Sequence, residues 1–178
     1  MRTFIAFEVP ENIKKILLDI QEQLKDENMK ASFVNHFHLT LKFLGEVNEQ
    51  KVEKIKEKLR EIKFELITTK LKGIGVFPNE NYIRVVWVGL EDGKIMELQK
   101  NIDTKMFELG FEREKDFQCH ITLCRVKFVK DKKMLTDKIK KIKVPEESFE
   151  VKDFKLKKSD LTGEKPVYTD LEIFNRKN

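Results

Sequence analysis

Two segments of the sequence repeat one pattern, His38-Leu39-Thr40-Leu41 and His120-Ile121-Thr122-Leu123, with their histidines 82 residues apart in a chain of 178. They use two of the only three histidines present. Side chains alternate along a strand, so a histidine and a threonine two residues apart present an imidazole and a hydroxyl on one face. Two such faces brought together about a pseudo-twofold axis enclose a cleft. An imidazole with an ordinary pKa of ~6.5 can hold or release a proton near neutral pH, so one of the pair can act as acid and the other as base. In-line hydrolysis of a cyclic phosphodiester needs that combination: a base on the attacking water and an acid on the oxygen leaving from the opposite side of phosphorus. The two hydroxyls, about 7 Å along each strand from the imidazoles, can donate to the non-bridging phosphate oxygens. The scheme requires no metal and no cofactor.

The elements that must hold these residues can be read from periodicity. RTFIAFEV forms a strand that stops at Pro10. Ile13, Ile16, Leu17, Ile20 and Leu24 mark an amphipathic helix over residues 11–28. SFVNHFHLTLKFLG is the strand carrying the first motif, and Val52, Ile55, Leu59 and Ile62 mark a second helix. FELITTKLKGIGVF is a further strand segment, closed by a turn at Pro78, Asn79 and Asn81. The order then begins again. YIRVVWVGL is a strand, and residues 93–109 form a helix ended by Gly110. FQCHITLCRVKF is the strand with the second motif, residues 131–142 form a short basic helix, and SFEVKDFKLKKSD and PVYTDLEIF supply two last strands. Both halves run strand, helix, strand, helix, strand. The expected fold is α+β: one domain, residues 1–178, of two pseudo-symmetric lobes whose antiparallel sheets line a central cleft, with helices packed outside. Simple alternation puts His38, Thr40 and Lys42 on one face of the first motif strand and Leu39, Leu41 and Phe43 on the other. On the second it groups His120, Thr122 and Cys124 against Ile121 and Leu123.

Composition sets the outer bounds. Hydrophobic residues make up 40% and charged residues 38%, enough for a core under a highly charged surface. Lys and Arg outnumber Asp and Glu by 36 to 31, a mild basic excess that suits a polyanionic partner. Richness in Lys and Glu also fits adaptation to heat. Cys119 and Cys124 lie too far apart along one strand to join, so free thiols are expected. No apolar run is long enough for a bilayer and no leader is evident, which points to a cytoplasmic protein with no membrane partner.

The stretch His38-Leu39-Thr40-Leu41-Lys42-Phe43-Leu44-Gly45 and the stretch His120-Ile121-Thr122-Leu123-Cys124-Arg125-Val126 resemble the paired motifs of the two-histidine phosphoesterase superfamily. The similarity is to its RNA 2′,3′-cyclic phosphodiesterase branch, long labelled 2′-5′ RNA ligase. RTFIAFEV, GIGVFPNENYIRVVWVG and KKSDLTGEKPVY extend it over nearly the whole chain. The resemblance implies a monomer acting on RNA or an oligonucleotide that ends in a 2′,3′-cyclic phosphate. In it, His38 is the proton donor to the departing O3′, His120 the acceptor that activates water, and Thr40 and Thr122 the phosphate-oxygen donors. The near-symmetric motifs do not themselves say which histidine is the acid. Cys119 stands where the family often has Pro. Arg125 matches a phosphate-binding position, yet alternation turns it toward the Ile121 face, so it reaches the cleft only through a bulge.

The site would also allow the reverse reaction, 2′-5′ ligation, and a chain that kept the cleft without the chemistry would remain a nucleotide-binding module. His36 shares a face with His38, but no further ligands complete a zinc site and it reads as a solvated residue. Gly73-Ile74-Gly75 reads as a loop between strand segments, and Phe77 as either a base-stacking or a core residue. The Lys-rich runs at 138–143 and 152–158 are candidates for steering RNA by charge.

Overall fold

The computed structural model describes residues 1–178. In chain order the elements are β1 (Arg2–Glu8), α1 (Glu11–Leu24), β2 (Met29–Phe33), β3 (His38–Glu46), α2 (Glu49–Arg60), β4 (Ile67–Asn79) and β5 (Tyr82–Leu90). They continue with α3 (Gly93–Glu108), β6 (His120–Val129), α4 (Lys132–Lys141), β7 (Ser148–Val151), β8 (Asp153–Asp160) and β9 (Val167–Asn175). The strands form two antiparallel sheets, one in the order β3-β1-β8-β9 and the other β2-β6-β5-β4-β7. The α+β class, the paired antiparallel sheets and the four helices agree with the periodicity of the sequence. No helix is long and apolar enough to cross a membrane.

Four segments differ from expectation. The single strand predicted over residues 32–45 is two strands in different sheets, because the chain between Phe33 and His38 crosses from one to the other. There the buried Phe37 anchors the crossing, and Val34 N–H donates to the Leu123 carbonyl at 3.1 Å. The strand predicted over 148–160 likewise divides near Lys152, β7 joining β4 and β8 joining β1. The first helix stops at Leu24 rather than 28, where the Asp26 carboxylate accepts from Asn28 N–H and closes a turn that competes with the helix. Gly73-Ile74-Gly75 lies inside β4, not in a loop.

Each copy of the repeated unit lends parts to the other. β1 pairs with β3 as β5 pairs with β6, but β4 from the first half completes the sheet of β5, and β8 from the second completes the sheet of β1. The helices cross over too: α1 packs on β6 and α3 on β3. The stripe Ile13, Leu17, Ile20 and Leu24 of α1 and the stripe Ile95, Leu98, Ile102 and Met106 of α3 are buried, and the helices cover the sheet faces turned away from the motif side chains. All of this merges into one continuous apolar cluster of 36 buried residues.

Candidate active site

Both motif strands carry the same irregularity at the same place. Along β1 and β3, Ile5 is opposite Lys42 and Ala6 opposite Thr40, which leaves Leu41 unmatched; along β5 and β6, Val86 is opposite Cys124 and Trp87 opposite Thr122, which leaves Leu123 unmatched. A bulge of one residue inverts the alternation beyond it. The burial sequence follows: Leu41 and Lys42 are both buried and Phe43 exposed, as Leu123 and Cys124 are buried and Arg125 exposed. Arg125 therefore joins the face of His120 and Thr122, against what simple alternation predicts. Phe43 takes the matching place beside His38 and Thr40. The same inversion removes Lys42 and Cys124 from the cleft face. Cys124 enters the core, and Lys42 is buried with its ammonium 2.6 Å from Asp103 and donating to the Glu112 carbonyl at 2.8 Å.

On each side a buried glutamine meets the carbonyl of the extra residue. Gln21 of α1 donates to the Leu123 carbonyl at 2.9 Å and also to that of Val34 at 2.8 Å. Gln99 of α3 donates to the Leu41 carbonyl at 3.4 Å. The bulges are thus held from behind by the helix of the other repeat.

The geometry is duplicated while the chemistry around it is not. Aligning the two strand pairs by register puts Lys157, opposite Phe4, in the place that Phe77, opposite Val85, holds in the other sheet. His38 consequently sits in a cavity of about 360 Å³ with Glu8, Lys157, Tyr168 and Asp170, its ring 5.2 Å from Phe4 and 5.3 Å from Tyr168. Lys157 is almost fully buried there, 2.6 Å from Glu8 and also bonded to Asp170. His120 is flanked by aromatic rings, Phe77 at 5.0 Å and Trp87 at 5.8 Å. A Cβ on Gly75 would stand 2.2 Å from the Trp87 ring, so that glycine is what lets the indole lie over β4 next to His120.

The two imidazoles answer to these surroundings. Burial and then the Lys157 charge push His38 down to about 4, with His36 and Arg125 acting in the same direction and Glu8 opposing. Burial also lowers His120, but its Nδ1 lies 2.8 Å from the Gln118 carbonyl, which opposes the shift. A carbonyl can only accept, so Nδ1 carries the hydrogen and Nε2 of the neutral ring is free to take a proton. The Arg125 charge acts on both rings. β3 and β6 are in contact, and the charge of Arg125 on the β6 motif face acts on His38 on that of β3, so the two motif faces adjoin.

His38, Thr40, His120, Thr122 and Arg125 are thus on the two adjoining motif faces. His36 is exposed at the edge of the cavity, 5.8 Å from the Tyr168 ring. Phe77 is neither core nor a free platform, being half-buried against His120. Lys152, Lys155, Lys157 and Lys158 all lie within ion-pairing distance of carboxylates, so that run offers little free charge. Both cysteines are buried free thiols, pushed up to about 12 by burial. Phe4, Lys157, Tyr168 and Trp87 were not singled out by sequence reasoning. The one signal that could have found them is the strand register between repeats, which a single sequence does not reveal.

A sequence model of the LigT-like phosphoesterase family matches the chain twice, over residues 7–87 and 88–168. The chain is 46% identical to an RNA 2′,3′-cyclic phosphodiesterase of Methanocaldococcus jannaschii, covering 94% of this chain and 96% of that protein. It is 39% identical to the protein of that name from Archaeoglobus fulgidus, covering 98% and 99%. The crystal structure of TT0787 from Thermus thermophilus superposes with a TM-score of 0.79 at 30% identity, covering 98% of this chain and 97% of that one.

Proposed function

The chain belongs to the LigT-like phosphoesterase family, and from that premise we propose that it hydrolyses RNA 2′,3′-cyclic phosphate ends to 2′-phosphates by acid-base catalysis between His38 and His120. The observation that carries this reading is the unequal dressing of an otherwise repeated pair. His120, with Nδ1–H held by a carbonyl and no cation in its own aromatic pocket, is the better base of the two. His38, beside the Lys157 ammonium, forms the more acidic imidazolium. Nε2 of His120 takes a proton from water as the water oxygen bonds to phosphorus. His38 gives its proton to O3′ as the P–O3′ bond breaks. Thr40 and Thr122 donate to the non-bridging oxygens, and the Arg125 guanidinium neutralises charge that accumulates there. An anionic phosphate in the cleft raises both imidazole pKa values, which helps to protonate His38 in the complex.

In this reading the protein works as a cytoplasmic monomer as one domain of two lobes, without metal or cofactor. The test is incubation of an oligoribonucleotide 2′,3′-cyclic phosphate with the protein in EDTA, following the 2′-phosphate product. Activity is expected in EDTA, and His38→Ala and His120→Ala should each lose at least ~100-fold in kcat. Dependence on added metal, or near-normal turnover by either variant, rules the reading out.

A further inference from the structure

Of the 36 lysines and arginines, many stand free of carboxylates, and four of these lie side by side on neighbouring strands next to the second motif. Beyond Thr122, the outward face of β6 carries Arg125 and then Phe128, with Lys127 exposed between them. β2 lies alongside with Lys30 opposite Phe128. On the other flank β5 has Val85 opposite Arg125, preceded by Arg84 and Tyr82, the guanidinium of Arg84 lying 5.4 Å from the centre of the Tyr82 ring. Lys30, Arg84, Arg125 and Lys127 are exposed, and none of them takes part in an ion pair. Tyr82 and Phe128 are 55% and 59% exposed, high values for aromatic rings on a sheet. Between them opens a cavity of about 240 Å³, to which Arg84, Lys127 and Lys132 add positive charge and Glu80 the one carboxylate.

Unpaired cations interleaved with exposed rings are the requirements for holding a single nucleic-acid strand, since each base offers a face for stacking and each phosphate a charge. An RNA whose cyclic phosphate lies between the histidines has its remaining nucleotides on the 5′ side only. From Thr122 to Phe128 the strand runs about 20 Å, long enough to contact more than the terminal nucleotide.

We infer that the face formed by Tyr82, Arg84, Lys127 and Phe128 is a binding track for the single-stranded RNA immediately 5′ of the cyclic end, so that this site acts on oligonucleotides in preference to mononucleotides. The inference rests on the proposed cyclic phosphodiesterase activity and extends it from the reacting end to the body of the substrate. Arg125 lies where the track meets the reacting phosphate. None of the track residues touches the reacting atoms, so its contribution is to KM and not to the chemical step.

The experiment compares one nucleoside 2′,3′-cyclic phosphate with an oligoribonucleotide ending in the same group, using the wild type, a Tyr82→Ala/Phe128→Ala variant and an Arg84→Ser/Lys127→Ser variant. The wild type is expected to favour the oligonucleotide in kcat/KM, and each variant to lose ~10-fold or more of that through KM while its mononucleotide turnover is unchanged. The Arg84→Ser/Lys127→Ser variant should also show a log-log salt dependence for the oligonucleotide shallower by about 1.4, two phosphate contacts at ~0.7 each. Equal kcat/KM of the wild type for both substrates, or equal losses on both by the variants, overturns the track while leaving the phosphodiesterase reading intact. Failure of the wild type to open either substrate overturns both.

Discussion

At the residue scale, the pH dependence follows from what surrounds each imidazole. kcat/KM reports the free protein, where the proposed assignment requires His38 protonated and His120 neutral. The groups facing His38 are Glu8, His36, Arg125, Lys157 and Tyr168, and the net effect with burial is a value of about 4, while His120 is lowered from 6.5 by a smaller set of influences. The productive form is most populated between the two titrations, so the kcat/KM maximum is expected below pH 6.5. The kcat maximum should lie higher, because bound phosphate raises both groups. Steady-state profiles in which kcat/KM peaks above neutrality contradict the assignment. Replacing Lys157 by Met removes the main cation beside His38 and leaves Glu8 and Asp170 paired with Lys155 alone, two changes that both raise the imidazole. The acid limb of kcat/KM should then move up toward 6.5, with the basic limb, set by His120, staying in place. A shift of both limbs together would mean that Lys157 acts on the whole cleft and not on His38.

At the scale of elements, the bulge decides which residues share the face of the motif histidines. The paired histidines and threonines precede it, so alternation alone placed them correctly. Lys42, Phe43, Cys124 and Arg125 follow it, and alternation placed all four on the wrong face. Nothing local in Leu-Lys-Phe or Leu-Cys-Arg announces an inserted residue; the signal lies in two buried glutamines on helices distant in sequence, Gln21 and Gln99, each bonding the carbonyl of an unmatched leucine. Gln21→Leu keeps the volume roughly, strands the Val34 carbonyl and leaves the Leu123 carbonyl with the Val34 N–H alone, at a cost of about 1–3 kcal/mol for the unsatisfied group. Denaturant unfolding should show that loss, and KM should rise as Arg125 loses its fixed position. Gln21→Glu is no rescue, since a carboxylate offers no donor to either carbonyl. The shorter donor Asn at position 21 should recover little of either. Unchanged stability in Gln21→Leu would show that the bulge is held by the strand ladder itself.

At the scale of the whole molecule, the recurrence of strand and helix was visible in the sequence, while the exchange between copies was not, because hydrophobic periodicity reports which face of a strand is buried and not which neighbour it pairs with. The exchange has a consequence for folding. A chain cut between Glu91 and Asp92 leaves the first fragment with β1 and β3 but without β8 and β9, and with β4 and β5 but without β6 and β7. Its α1 stripe has lost the β6 face on which it packs, and β2 has no pairing partner. The second fragment holds β6 without β5 and β8 without β1, so both fragments expose open sheet edges and apolar faces. Neither piece should therefore show a cooperative thermal transition alone, although the family sequence model matches each repeat separately. Co-expressed, they can rebuild both sheets, since the cut falls in a loop and breaks no strand pairing. The expected result is recovery of a soluble one-to-one complex with a single unfolding transition and measurable cyclic phosphodiesterase activity, because the proposed site takes His38 from one fragment and His120 from the other. Independent folding of the 1–91 fragment, seen as a sharp melt in its circular dichroism, would mean that the crossed strands are not what the repeats depend on for stability.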